Sequence, residues 1–188
     1  MVPKEYYGRL FTKEQLPVNY HPEALTLEGM IKVDKQLRCK RCYSWIEEDW
    51  QLPGGQYYCR ACIVFGRNQE GKELYYFPSK TSEIEFPVLK WFGELTPYQA
   101  KVSEKLLRTY QKQKDSLVHA VTGAGKTEMI YNIVAYVLEN KGHVAIASPR
   151  VDVCRELFLR MKRDFTCSIS LLHAESEPYD GSPLVIAT

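Results

Sequence analysis

The chain has 188 residues, of which 45% are hydrophobic and 26% are charged, and its formal net charge is +2 at pH 7. These values are typical of a soluble globular protein of one or two domains, and they exclude nucleic-acid binding through a strong overall positive field. We expect a cytoplasmic protein, because the first residues are too polar for a secretory signal and no apolar stretch is long enough to span a bilayer.

The first part of the chain, residues 1–37, mixes aromatic and aliphatic residues with prolines that interrupt any periodic pattern. We predict an N-terminal arm, in which Thr12 is a candidate N-cap for a short helix over residues 13–16. The arm could pack on its own domain or dock a partner.

Four of the six cysteines form two close pairs with sixteen residues between them, and a Pro-Gly-Gly hairpin signal lies in this interval. The pairs are Cys39/Cys42 and Cys59/Cys62. This spacing is typical of a Zn²⁺ site with four thiolate ligands, which leaves no open coordination position and is therefore structural. We predict a zinc-ribbon-like module, with a redox disulfide pair as the alternative.

Basic and aromatic side chains are interleaved with the paired cysteines. They are Arg38, Lys40, Arg41, Arg60 and Arg67, together with Tyr43, Trp45, Trp50, Tyr57 and Tyr58. Such a mixture suits single-stranded nucleic acid, because cations pair with phosphates and rings stack on bases. Acidic residues at 47–49 dilute the charge, and a small domain also needs aromatic residues to fill its core. The pattern leaves both interpretations open.

A second hairpin and a linker follow the cysteines. Residues 68–72 have the composition of a turn, residues 74–77 have that of a strand, and residues 79–86 are polar without a periodic pattern. We therefore assign residues 38–89 to the zinc-binding module with its hairpin and linker, and we place the domain boundary near residue 90.

The second domain is predicted to begin with a helix. Thr96 is its N-cap and Pro97 occupies its first turn, with apolar residues recurring behind them at helical spacing. Gln99, just inside this helix, resembles the glutamine that reads adenine in superfamily 2 ATPases, since a carboxamide can both donate to and accept from a base edge. A solvated helix residue is the alternative.

Residues 120–127 form the most specific motif, a phosphate-binding loop between a predicted buried strand, 116–120, and a predicted helix, 126–138. Its glycines let backbone N–H groups face an anion, and the helix directs the positive end of its dipole there. We predict that Lys126 reaches the phosphates of ATP and Thr127 binds Mg²⁺, which makes these two the catalytic candidates. The predicted nucleotide-binding residues are Gln99, Thr122, Gly123, Ala124, Gly125, Lys126, Thr127 and Glu128.

Strands and helices alternate after this loop. Residues 143–147, 168–173 and 183–188 are predicted strands, and residues 151–163 are a predicted helix. This alternation predicts an α/β fold in which a parallel sheet carries ligands at the carboxyl ends of its strands. Residues 90–188 are therefore assigned to the first, incomplete part of a RecA-like ATPase lobe.

Arg150 follows the strand at 143–147 within a Ser-Pro-Arg segment, and we predict that it contacts a nucleic-acid backbone. Several other residues receive structural interpretations. Arg155 and Arg160 are interpreted as a solvated helix face, with an extension of the Arg150 patch as the alternative. His173 is interpreted as a strand-end residue rather than a catalyst, and Cys154 and Cys167 as a helix-face thiol and a core thiol.

The cysteine module in front of these motifs resembles the ComFA family, late-competence ATPases of naturally transformable Gram-positive bacteria. The matching stretches are residues 7–10, the paired cysteines, and residues 95–99, 122–128 and 148–150. Ala120, where a strict phosphate loop has glycine, is the form usual in superfamily 2 helicases.

The resemblance implies an ATP-dependent motor that uses Mg²⁺ and Zn²⁺ and draws single-stranded DNA through a membrane channel from the cytoplasmic side. It implies a location at the inner face of the membrane through partners, among them competence proteins such as ComFC and DprA, and it leaves oligomerisation open. No acidic Mg²⁺-binding box follows the phosphate loop, which departs from the family. We therefore expect the N-terminal part of a longer protein, truncated before that box, with weak nucleotide binding and negligible turnover alone.

Other functions are also compatible with part of the pattern. A replication-restart-type helicase combines zinc with a superfamily 2 motor, but there we expect the cysteines after the motor motifs. A non-enzymatic zinc adaptor that binds DNA or a partner protein is a hypothesis from another class. A small-molecule kinase is disfavoured by Gln99 and Ala120.

Overall fold

The computed structural model describes residues 2–17, 23–78 and 84–188, and the chain divides into two compact units, residues 1–80 and 81–188. The division falls before the boundary predicted near residue 90, because the residues just before that position belong to the second unit. Val88 is buried in its core, and the Lys90 N–H donates to the Asp164 carbonyl at 2.9 Å. Of the predicted linker, residues 79–83 lie outside the described residues.

The first unit contains two small antiparallel sheets. Strands β1 (Leu10–Thr12) and β2 (Leu25–Glu28) both pair with β5 (Glu73–Tyr76), and β3 (Met30–Val33) pairs with β4 (Gln36–Cys39). The segment predicted as an arm therefore contributes two strands to a sheet whose central strand, β5, follows the cysteines in the sequence. Residues 18–22 of that segment lie outside the described residues.

Among its described residues, the first unit also has short 3₁₀ helices and two apolar clusters. The helices are Lys4–Tyr6, Lys13–Gln15 and Ile63–Phe65, and Thr12 is the N-cap of the second, as predicted. One cluster packs Phe11 and Phe77 with their neighbours. The buried members of the other are Met30, Cys39, Ile46, Cys59 and Cys62. Three of the four paired cysteines are thus themselves the core of this part of the unit.

The second unit is an α/β structure with a three-stranded parallel sheet in the order β6-β8-β7. Its strands are β6 (Val144–Ala147), β7 (Ile169–Leu172) and β8 (Leu184–Ala187), and its helices are α1 (Pro97–Gln111), α2 (Lys126–Met129), α3 (Tyr131–Glu139) and α4 (Val151–Asp164). The predicted α/β class and parallel sheet are confirmed. Among the described residues, no helix combines the length and apolar character needed to cross a bilayer.

Three predicted elements differ in the structure. Residues 116–120 form no strand, and Leu117 is 95% exposed. A strand needs a neighbour for its backbone groups, and none of the described strands pairs with this segment. The predicted helix over residues 126–138 is divided at Ile130 into α2 and α3. β6, expected as a buried strand, has alternate residues exposed, because successive side chains lie on opposite faces of a sheet.

A buried hydrogen-bonded group joins α3 to the end of α4. The Tyr131 hydroxyl donates to Asp164 Oδ2 at 2.6 Å, and Arg163 Nε donates to Asp164 Oδ1 at 2.7 Å. Asp164 is only 4% exposed. The Arg163 guanidinium lowers the pKa of the Asp164 carboxyl, and Tyr131 adds to this effect, against the opposing influence of burial.

We expect Asp164→Asn to destabilise the second unit by about 1–3 kcal/mol at neutral pH, because it removes the charged acceptor of one buried hydrogen bond from Tyr131 and two partly buried ones from Arg163. The pKa of Asp164 is lower in the folded than in the unfolded chain, so its contribution is present above the ordinary carboxyl pKa and is lost as pH falls through the folded-state value. Thermal unfolding, followed from neutral pH to about pH 3, should therefore show the difference from the wild type shrinking in acid.

The control for this measurement is Asp152→Asn, which removes an exposed carboxylate paired with Arg150 and should change stability little. A difference between wild type and Asp164→Asn that stays constant across the pH range would contradict the assignment.

Candidate metal centre and nucleotide-binding loop

The four paired cysteines converge on one point in the first unit. The Sγ atoms of Cys39 and Cys62 are 3.8 Å apart, those of Cys42 and Cys59 are 3.5 Å apart, and all four lie within 4.8 Å of one another. Four thiolates at about 2.3 Å from a tetrahedral Zn²⁺ are separated by roughly 3.8 Å. The spacing of the sulfurs therefore fits the predicted structural zinc site.

Two tight turns present these thiols. β4 ends at Cys39, whose carbonyl accepts from the Tyr43 N–H at 3.0 Å, so the chain turns back and brings Cys42 beside it. The second pair is held by a bond from the Cys59 N–H to the Asn68 carbonyl at 2.9 Å. Cys42 reaches the surface, whereas the other three cysteines are buried.

Two side chains that sequence reasoning did not assign to the metal centre donate to its sulfurs. Asn68 Nδ2 donates to Cys39 Sγ at 3.2 Å and to the Gly29 carbonyl at 2.6 Å, and Arg41 donates to Cys62 Sγ through Nε and Nη2 at 3.3 and 3.1 Å. Donors directed at sulfur suit thiolates that carry negative charge. Asn68 lay within a segment interpreted only as a turn, so its composition gave no signal of this role.

The pKa values of the thiols differ with their surroundings. Burial raises the pKa of Cys59 and Cys62. Burial also disfavours ionisation of Cys42, but contacts with Ser44 and with the neighbouring thiols outweigh it and lower the pKa to about 6. Cys42, the thiol nearest solvent, is therefore the most readily ionised of these three.

The phosphate-binding loop lies at the start of α2 in the second unit. Gly123 and Gly125 have φ values of 80° and 75°, in the left-handed region that side-chain-bearing residues avoid. Lys126, the first residue of α2, is exposed, and its Nζ donates to the carbonyls of Ala120 at 3.2 Å and Val121 at 2.8 Å. The ammonium group is thus held at the loop by two neutral carbonyls, which a phosphate could replace as its partner.

Gln99 contacts this same loop from the first turn of α1. Its Oε1 accepts from the Thr96 N–H at 2.9 Å, which caps the helix, and its Nε2 donates to the Ala124 carbonyl at 3.0 Å. A Cβ on Gly125 would lie 2.4 Å from Gln99 Nε2 and would displace the carboxamide, and the φ of 75° itself favours glycine there. The structure therefore brings Gln99 and the loop together.

Glu128 lies in α2 but is paired with another helix. Its Oε1 is 3.0 Å from Arg160 Nη1, and Arg160 also contacts Glu156 on its own helix, α4, at 3.0 Å. The interpretation of Arg160 as part of a solvated face is therefore wrong: it joins α4 to the helix behind the phosphate-binding loop. Thr122 is exposed in the loop, and Thr127 is half-buried in α2.

Arg150 lies between the carboxyl end of β6 and the start of α4, as predicted, and is exposed. Its guanidinium forms an ion pair with Asp152. His173 directly follows β7, which agrees with its interpretation as a strand-end residue.

Comparison with known proteins decides the family. The chain is 54% identical over 187 residues to competence protein ComFA of Streptococcus pneumoniae (strain ATCC BAA-255 / R6), in an alignment that covers 98% of this chain and 42% of that protein. The chain belongs to the ComFA family. Competence protein ComFA of Bacillus subtilis (strain 168) is 32% identical over 189 residues, which cover 95% of this chain and 40% of that protein. The resemblance noted in the sequence is confirmed.

Residues 92–179 of this ComFA-family chain match the model of the family described as type III restriction enzyme, res subunit (ResIII). This match identifies a helicase-like domain of superfamily 2 and supports the predicted RecA-like lobe. No solved structure matches the chain. The chain spans about two fifths of the length of the two ComFA relatives, 42% and 40% respectively.

Proposed function

We propose that this ComFA-family chain is part of an ATP-dependent motor that moves single-stranded DNA during uptake of transforming DNA by competent bacteria. The observation that carries the proposal is the arrangement at the start of α2. Two glycines in left-handed conformation precede Lys126, and Gln99 is hydrogen-bonded to the same loop. This arrangement combines groups for a triphosphate with a group for a purine base.

The proposed roles follow the position of each residue. Lys126 binds the β- and γ-phosphates of ATP, and Thr127 ligates Mg²⁺. Gln99 reads the base, and the backbone of residues 122–125 surrounds the phosphates. Glu128 orients α2 through its ion pair with Arg160.

Arg150 binds the DNA backbone from the carboxyl edge of the sheet, where ligands of parallel α/β structures are found. The four paired cysteines hold Zn²⁺, which stabilises the first unit. We propose further that the motor acts in the cytoplasm at the inner face of the membrane, next to a DNA-uptake channel, with ComFC and DprA among its partners.

A non-enzymatic zinc adaptor is the alternative that an experiment must separate from a motor. Binding of a labelled single-stranded oligonucleotide should be measured with and without a non-hydrolysable ATP analogue and Mg²⁺. A motor couples the two ligands, so the analogue should change DNA affinity by about 5-fold or more. DNA affinity that is unaffected by a saturating analogue would favour the adaptor. The order of motifs, with the cysteines before the loop, disfavours a replication-restart-type helicase.

A further inference from the structure

An exposed group of two aromatic rings and one guanidinium lies beside the candidate metal centre. The guanidinium carbon of Arg38 is 5.4 Å from the ring centroid of Tyr43 and 5.2 Å from that of Trp45. Arg38 Nε donates to the Tyr43 carbonyl at 2.9 Å, and Arg38 and Trp45 are opposed in an antiparallel bridge. We refer to these three residues as the Arg38 stack. Backbone contacts and ring contacts together fix its geometry.

The two rings of the Arg38 stack are directed to solvent. Tyr43 is 62% exposed and Trp45 is 44% exposed, whereas Trp50 and Tyr57 pack against the cysteine core. The interpretation that aromatic residues fill a small core therefore applies to Trp50 and Tyr57. It does not apply to the Arg38 stack, whose rings retain surface for a further planar group.

The backbone at Tyr43 is unfavourable for a residue with a side chain. Its φ is 61°, in the turn that follows Cys42, and this left-handed conformation costs free energy for every residue type except glycine. Glycine would satisfy the turn with less strain, so the conformation of the turn does not itself require a ring at this position. A strained, exposed residue at a site is an observation that points to function.

The charge around the Arg38 stack favours a polyanion. Residues 30–45 carry five basic side chains and one acidic side chain. Arg41 is turned towards Cys62 Sγ and offsets thiolate charge. Lys32 and Lys35 line a pocket together with Glu47 and Glu48, so the basic residues left for an external anion are Arg38 and Lys40. A single strand of nucleic acid offers phosphates to such cations and open base faces to the rings, whereas a duplex keeps its bases stacked inside.

We propose that the Arg38 stack is a base-stacking site for single-stranded DNA on the zinc module. One base stacks on the Tyr43 and Trp45 rings, and the neighbouring phosphates contact Arg38 and Lys40. This inference rests on the proposed function only in naming DNA as the single-stranded nucleic acid that binds. The site is separate from the phosphate-binding loop and needs no nucleotide.

The test measures binding of fluorescein-labelled oligo-dT of about 16 nucleotides to the 188-residue chain. Tyr43→Gly should weaken binding about tenfold, the effect of losing one stacked base, while zinc content and melting temperature are maintained because strain is relieved. Tyr43→Phe keeps the ring and should restore affinity. Phe65→Ala, at another aromatic residue of the same unit that is 66% exposed, is the matched control and should bind like the wild type.

Trp45 supplies an independent signal. Oligo-dT should quench its fluorescence, and Trp45→Phe should lose this quenching while retaining most of the affinity. Unchanged affinity in Tyr43→Gly, quenching that persists in Trp45→Phe, or duplex DNA that binds as tightly as oligo-dT would each overturn the proposal.

A fluorescent ATP analogue, titrated into the same variants, distinguishes this proposal from that of the motor. Tyr43→Gly should retain nucleotide binding, and Lys126→Ala should retain oligo-dT binding in the absence of nucleotide. If only the motor proposal is wrong, the wild-type chain should not bind the ATP analogue, and the oligo-dT results should be as stated above.

Discussion

Replacement of Cys39 by serine should release zinc and unfold residues 38–66. The thiol is fully buried, and the buried members of the apolar cluster around it are, besides the cysteines, only Met30 and Ile46, with Leu37, Trp50 and Tyr57 partly buried against them. Structural zinc in small domains contributes about 10 kcal/mol or more, which is comparable with the whole stability of a typical domain. Loss of one ligand therefore removes the principal stabilising interaction of this region, and the same result is expected for any of the four paired cysteines.

The measurements are the zinc content of purified protein and hydrogen exchange of the amides in residues 38–66. Removal of zinc from the wild type with a chelator should produce the same loss of amide protection. This measurement tests the prediction even if the Cys39→Ser variant cannot be purified. Cys154→Ala provides a control, since Cys154 is equally buried but lies in the core of the second unit and outside the cluster. Stoichiometric zinc and unchanged amide protection in Cys39→Ser would reject the metal centre.

Replacement of Lys126 by alanine should reduce affinity for ATP by at least about tenfold in this chain, since hydrogen bonds to a charged group contribute roughly 1.5–3 kcal/mol. In the full-length protein it should abolish DNA-stimulated ATP hydrolysis, because the lysine neutralises charge that develops on the transferred phosphoryl group. Stability should change little, because the side chain is exposed and its present partners are two loop carbonyls.

Titration with a fluorescent ATP analogue tests the first effect, and phosphate release with single-stranded DNA tests the second. Lys101→Ala removes an exposed lysine from α1, two residues beyond Gln99 and therefore on a different face of the helix, and should behave as the wild type. Unchanged ATP hydrolysis in the Lys126→Ala protein would show that this loop does not bind the phosphates of ATP.

The features that could be predicted from sequence are those encoded by neighbouring residues. The spacing of Cys39 and Cys42 specifies a turn that presents two thiols, and the structure places both beside the second pair. Thr96 and Pro97 mark the start of α1 through local capping chemistry, and α1 begins at Pro97. The strands of the parallel sheet were recognisable because each is a short apolar run.

The features that were missed depend on distant partners. β1 and β2 are strands because each pairs with β5, which follows the cysteines in the sequence. Their own residues do not indicate this distant partner. Residues 116–120 have the apolar composition of a strand but no described strand as neighbour, so composition alone gave the wrong answer. The ion pair between Glu128 and Arg160 joins residues from two helices, and the sequence does not show which solvated arginine will find a carboxylate.

The two hydrogen bonds of Gln99 also settle which end of its carboxamide is oxygen. Thr96 offers an N–H and therefore requires the oxygen, and Ala124 offers a carbonyl and therefore requires the nitrogen. Each end still keeps one bonding position unused: a lone pair on the oxygen and a hydrogen on the nitrogen. Those positions complement adenine, which presents an amino group beside a ring nitrogen, and they mismatch guanine, which carries an oxygen in place of the amino group. Under the proposed function, we therefore expect the hydrogen bond that caps α1 also to favour ATP over GTP.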